Sequence, residues 1–238
     1  MYGWRARLGI LTPSSNIVTE PEYVLMTPDG VSCHYQKFEF TGGGVQALKN
    51  LENLLPDATG LIAHARPSAV AMCCTGGSFA GGFGYDKQLI KKMEAKSGGA
   101  QATTSSTAMI EAFKALGIKK VSLAVPYLEE VAMAEKKFVE DHGFEVVDIK
   151  WLGLHDSIEI AGVPQEVVYQ LAMDVDGPDN EAVFMSCIAM HTVDIIEALE
   201  VDLGKPVVSS NQATMWHLLR LSGINESIDG FGELLADY

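Results

Sequence analysis

Two cysteines stand at matched places in two halves of the chain. Cys74 closes the apolar run AVAMCC and opens TGGSFAGGFG, while Cys187 closes AVFMSC and opens IAMHT. Each half also begins with a strand-like run that closes on proline, ARLGILTP at Pro13 and KKVSLAVP at Pro126, and each cysteine follows its proline by 61 residues. A spacing repeated to the residue predicts two similar units, each presenting one thiol at the end of a strand. Two facing thiols can move protons on opposite sides of one small molecule, and a thiolate is a nucleophile towards carbon. Each lies where a strand ends and a loop or helix begins, and helix N-termini and neighbouring N–H groups stabilise a thiolate and can lower its pKa below about 8.5. Cys33, within a strand, and Cys73, on the face opposite Cys74, read as small buried hydrophobes.

Polar residues gather at the same strand ends. Ser14, Ser15 and Asn16 follow the first strand, Thr103 to Thr107 the fourth, and Ser209, Ser210 and Asn211 the last. Such groups are anion receptors or helix caps. Asn16 precedes a helical pattern over 18–27, where its amide can donate to a carboxylate or a developing enolate oxygen. Tyr127 follows Pro126, where its phenol can donate to the same kind of oxygen or pack between the lobes. His191 lies four residues after Cys187. If a helix begins there, the two share a face and the imidazole can assist the thiol; otherwise it is a satisfied histidine at a helix start.

The elements that must position these residues alternate along the chain. Strand patterns fall at 6–12, 31–40, 69–74 and 101–105, then at 120–125, 145–153, 182–187 and 206–210. Helical patterns fall near 18–27, 44–65, 85–97, 106–117, 128–142, 163–175, 190–201 and 211–222. Strands separated by helix-length segments predict parallel sheets with right-handed crossovers. The fold class is therefore α/β: two pseudo-symmetric doubly wound lobes, each with a four-stranded parallel sheet, and a ligand cleft between them. The first lobe spans 1–117 and is completed by a C-terminal helix over 211–238; the second spans 118–210. The glycines of 76–84 form no nucleotide signature and read as a mobile loop that can close over the cleft.

Composition bounds the rest. The 238 residues are 47% hydrophobic with a net charge of −14, which leaves ample core material and disfavours nonspecific nucleic-acid binding. No uncharged apolar run is long enough to cross a membrane, and the N-terminus lacks a signal-peptide pattern. Four cysteines without zinc or disulfide spacing fit a reducing compartment, so the expected location is cytoplasmic, with no metal.

Read together, GWRARLGILTPSSN, CTGGSFAGGFGYD, TTSSTAMIEAFKALGIKKVSLAVPY, MSC and PVVSSNQATMW resemble the maleate cis-trans isomerase family of the aspartate/glutamate racemase superfamily. Arylmalonate decarboxylases and ectoine-utilisation proteins are relatives, and the resemblance runs over nearly the whole chain. It implies a nucleophilic Cys74, a proton-exchanging Cys187, and Asn16 and Tyr127 holding substrate carboxylate. Ser14, Thr75, Gly76 and Ile188 would lie close by. Where these isomerases carry an asparagine after the sixth strand, this chain reads LHDSIEIAG, with Ser157 at the aligned place. The resemblance further implies cis-trans isomerisation of maleate or a similar small dicarboxylate through a cysteine adduct, no cofactor, and a homo-oligomer, dimer or tetramer. The alternatives are a two-cysteine amino-acid or hydantoin racemase, an arylmalonate-type decarboxylase, and a non-catalytic ligand-binding protein.

Overall fold

A computed structural model describes residues 2–238. Its first half runs β1 (Ala6–Pro13), α1 (Thr19–Met26), β2 (Val31–Phe38), α2 (Val45–Asn50), α3 (Leu55–Ile62), β3 (Ala69–Met72), α4 (Thr75–Phe79), α5 (Tyr85–Glu94), β4 (Gln101–Thr104) and α6 (Ser105–Ala115). Its second half runs β5 (Lys120–Tyr127), α7 (Glu129–Asp141), β6 (Glu145–Leu154), α8 (Ser157–Ala161), α9 (Gln165–Val175), β7 (Ala182–Met185), α10 (Ile196–Leu203), β8 (Val207–Ser209), α11 (Ser210–Leu221) and α12 (Glu233–Asp237).

The strands form two four-stranded sheets of the same order, β2-β1-β3-β4 and β6-β5-β7-β8. Every pairing is parallel. The inner strands β3 and β7 read AVAM and AVFM and are buried throughout, as expected of strands covered by helices on both faces. The α/β class and the paired four-stranded sheets expected from the sequence are thus observed.

One apolar core runs through both halves, from Leu8 and Ile10 to Leu123 and Phe184. Aromatic side chains carry it across: Phe113 meets Phe184 at 5.5 Å, and Phe79 meets Phe138 at 6.3 Å between ring centroids. Each such pair is worth about 1 kcal/mol beyond its buried area, so the sheets are held in fixed relation. α11 follows β8 of the second sheet but packs on α6 and α1 of the first half.

Three segments differ from their sequence reading. The pattern at 44–65 is broken into α2, α3 and two short 3-10 turns, because Pro56 removes a backbone donor and restarts the helix. The stretch 211–238 is not one helix: α11 ends at Leu221, Gly223 takes φ 76°, and only α12 is helical beyond it. The glycine-rich 76–84 segment is not a mobile loop at its start. Thr75–Phe79 form α4, and every residue from Thr75 to Ala80 is buried. A Cβ at Gly77 would lie 2.9 Å from Cys74 Sγ, Leu51 Cδ1 and Met72 Cε, so this glycine serves close packing.

Candidate active site

β3 and β7 end at Met72 and Met185, two residues before their thiols. Cys74 is the N-cap residue of α4, in extended backbone with φ −162°. Cys187 has φ 90°, the left-handed region that side chains other than glycine avoid. Such a backbone costs of order 1–3 kcal/mol and persists only where its surroundings enforce it. Both thiols line one cavity of about 50 Å³ between the two sheets, room for several waters.

Of the residues singled out from the sequence, Cys74, Thr75 and Gly76 line this cavity from the first half. Tyr127, Ser157, Cys187 and Ile188 line it from the second. Asn16, Ser14 and His191 do not. The Asn16 amide donates to Ile188 O at 3.1 Å, and its Oδ1 accepts from the N–H groups of Val18 and Thr19. It caps α1 and ties it to the segment after Cys187. The Ser14 hydroxyl bonds the backbone of Phe40. His191 bonds Ala161 O at 3.1 Å. No helix starts at Cys187, since the chain turns there and α10 begins only at Ile196. The shared helical face for Cys187 and His191 therefore does not form.

The thiols are more weakly acidic than expected from their strand-end places. Burial pushes Cys74 up to about 12, against a stabilising N–H from Gly77. It pushes Cys187 up to about 11, against the N–H of Ala189, the Tyr127 hydroxyl and the N–H of Met190. A few N–H dipoles do not offset the loss of water around a charge when no cation is beside it, and among the described residues no lysine or arginine lines the cavity. Burial therefore favours the thiol form of both groups.

One hydroxyl joins the two cysteine loops. Ser210 Oγ accepts from Thr75 Oγ1 at 2.9 Å and from the Cys187 N–H at 3.0 Å. Ile188 O accepts from Asn16, Thr19 and Asn211. Glu22, on α1, accepts from the N–H groups of Thr192 at 2.6 Å and Val193 at 3.2 Å. The 187–193 segment of the second half is therefore fixed in place from the first half and α11. Burial holds the Glu22 carboxyl up at about 7 despite these donors. Phe40, Gly42 and Gly43 meet His155, Asp156 and Ser157 on the cavity wall, which Gly76 also lines. Gly42 bridges Asp156 there, so closely that a Cβ at Gly42 would lie 2.8 Å from that of Asp156.

Sequence reasoning passed over Glu22, Glu135, Ser186 and the bridging role of Ser210. A signal existed for both acids: Glu22 shares the buried stripe Thr19, Tyr23, Met26, and Glu135 the stripe Val131, Ala132, Phe138, Val139. A lone acid at helical spacing within an apolar face marks a buried carboxyl.

Known proteins resemble this chain over nearly its whole length. The family model described as arylmalonate decarboxylase matches residues 15–235. A maleate isomerase of Nocardia farcinica is 27% identical over 96% of this chain and 95% of its own. An arylmalonate decarboxylase of Bordetella bronchiseptica is 27% identical over 95% of this chain and 98% of its own. Among solved structures, a cysteine-to-serine mutant of Nocardia farcinica maleate cis-trans isomerase, carrying a covalently bound succinylcysteine intermediate, superposes with a TM-score of 0.92. It is 24% identical and covers 98% of this chain and 99% of that one.

Proposed function

The chain belongs to the arylmalonate decarboxylase family, and we propose that within it this protein is a cofactor-independent cis-trans isomerase of maleate or a similar small cis-unsaturated dicarboxylate. The observation that carries this reading is the pair of thiols, Cys74 and Cys187, on the wall of one cavity. Adding a sulfur to one alkene carbon and a proton to the next takes two groups, and the chain supplies both. Similarity to a maleate isomerase over nearly the full length of both chains supports the substrate class.

Cys74 loses its proton to solvent and its sulfur bonds to one alkene carbon. The π pair moves to the neighbouring carbon, delocalised into the adjacent carboxylate, and that carbon takes the proton of Cys187. The former double bond is now single and rotates. Cys187 takes a proton back, the double bond re-forms and the Cys74 sulfur leaves, giving the trans isomer. Addition makes the transient charge, so hydrogen bonds to the carboxylate oxygens do the stabilising. Tyr127, Ser157 and the backbone N–H groups at Thr75, Gly76 and Ile188 take that role. Asn16 acts one step back, through the Ile188 carbonyl that it holds. The succinylcysteine of the Nocardia farcinica enzyme is an adduct of the kind this sequence of steps would form.

The lobes divide at Gly117, with 211–238 returning to the first. The free thiols support a cytoplasmic site of action, and homo-oligomeric assembly, a dimer or tetramer, goes with the same reading. Among the described residues no helix is long and apolar enough to cross a membrane.

The test is a proton NMR time course of the purified protein with maleate in D2O without added cofactor. Fumarate from wild type but not from Cys74→Ser is the expected result. Unchanged maleate would refute the substrate. The second reading, decarboxylation of an arylmalonate, is favoured by the apolar cavity wall of Leu48, Val131 and Ile160. It predicts carbon dioxide release from phenylmalonate and a reaction that survives Cys74→Ser.

A further inference from the structure

Glu135 is fully buried on α7, directly behind the second thiol. Its Oε1 lies 2.7 Å from the Ser186 hydroxyl, and its Oε2 is buried without a hydrogen-bond partner. Ser186 Oγ lies 3.4 Å from the Tyr127 hydroxyl, and Tyr127 and Cys187 line the same cavity, where the phenol is among the groups that favour a Cys187 thiolate. Glu135, Ser186 and Tyr127 thus form a polar chain that reaches the cavity beside Cys187. An ionised carboxylate with an orphaned oxygen in a core costs several kcal/mol, and such a group calls for an explanation.

We propose that Glu135 is a positioning residue for Cys187, which acts through Ser186 and Tyr127 so that the carboxyl and the thiol do not both ionise. Ser186 has a single hydroxyl proton, and this makes the chain directional. When Glu135 is ionised, Ser186 donates to it and accepts from Tyr127. The phenol proton then points away from Cys187, and a thiolate there would lose its donor. When Glu135 is protonated at Oε1, the carboxyl donates to Ser186, Ser186 to Tyr127 and Tyr127 to the Cys187 sulfur. Direct repulsion between the two charges acts in the same direction.

Burial supports this assignment by holding the carboxyl up at about 8, against the Ser186 hydrogen bond. The titratable groups coupled to it are Tyr127 from β5 and Cys187 beyond β7, both shifted upward with Glu135 among the causes. No charged group of α2, α4 or β6 contributes to its shift. The consequence is that a thiolate at Cys187 keeps its phenol donor only while Glu135 holds its proton. This deepens the two-thiol reading above but does not depend on maleate being the substrate.

The test needs no substrate. Cys187 is alkylated with iodoacetamide from pH 6 to 11, and its rate is followed by peptide mass spectrometry. In wild type the logarithm of the rate should climb to about pH 8, flatten as Glu135 ionises, and climb again. In Glu135→Gln the flattening should vanish, with Cys187 roughly tenfold faster than wild type at pH 9, the size of one unit of coupling. Ser186→Ala should shrink the flattening while leaving Glu135 in place. A single unbroken climb in wild type overturns the proposal even if Glu135→Gln fails to fold. So does a flattening retained in full by Glu135→Gln or by Ser186→Ala. A merely structural Glu135 would lower the melting temperature without reshaping this profile.

Discussion

Ser210→Ala removes the one atom that joins both cysteine loops, and its cost can be worked out from the geometry. Ser210 Oγ accepts from Thr75 Oγ1 and from the Cys187 N–H, at 2.9 and 3.0 Å. Both donors are buried: Thr75 is 1% exposed and Cys187 7%. Orphaning a buried donor costs about 1–3 kcal/mol, so losing two partners without relaxation comes to roughly 2–6 kcal/mol. For a chain of this size that is a fall in melting temperature of roughly 5–25 °C. The functional loss should exceed what that destabilisation explains. The N–H bond to Ser210 helps hold Cys187 at φ 90°, and a backbone in that region relaxes once the tether is cut. A displacement near 1 Å of the proton-donating sulfur is worth about a hundredfold in turnover. The assay is kcat/KM on maleate at a temperature where the variant is fully folded, beside a thermal melt. Thr75→Val is the control, because it removes one donor but leaves the Cys187 N–H satisfied. It should cost about 1 kcal/mol and leave turnover within a few fold. A Ser210→Ala protein with wild-type turnover, or a Thr75→Val protein equally impaired, would refute the reasoning.

Cys74→Ser should abolish isomerisation, while Cys187→Ser should stall with an adduct on Cys74, seen as added mass in the intact protein; a Cys187→Ser protein that turns over normally would remove the second thiol from the chemistry. Glu22 and Glu135 have carboxyls raised from 4.5 to about 7 and about 8, so the folded state binds their protons more tightly than the unfolded one. Their contribution is present in full below about pH 4.5 and is lost as pH rises through 7 and 8. Urea unfolding should therefore show a less stable protein at pH 9 than at pH 5.5, with a share on the order of 2 kcal/mol from Glu22 that disappears in Glu22→Gln. Gly77→Ala places a methyl 2.9 Å from Cys74 Sγ, so it should cost about 1–3 kcal/mol in the melt and reduce Cys74 alkylation by iodoacetamide; unchanged alkylation would mean the neighbours move aside freely.

The lobes and their thiols were legible because the signals are local. Short apolar runs such as AVAMCC and AVFMSC, bounded by turn residues, specify buried parallel strands on their own, and the common interval from Pro13 to Cys74 and from Pro126 to Cys187 exposes the repeat. Helix ends were less so, since Pro56 and Gly223 act through backbone geometry that an apolar pattern does not register. What the sequence alone determined, then, is two parallel sheets, each carrying a thiol just beyond an inner strand. Tertiary structure decided which polar side chains face the cavity. Asn16 and Tyr127 both sit at strand ends, yet the Asn16 amide is taken by Ile188 O from across the molecule, while Tyr127 faces the cavity. It also decided the acidity of the thiols. Helix starts and N–H groups predict a lowered pKa, but desolvation depends on what packs around the sulfur from distant parts of the chain, and here it outweighs them. The same burial turned Glu22 and Glu135 from two acids in helical stripes into proton-binding groups, because the energy of a charge is set by its three-dimensional surroundings and not by its neighbours along the chain.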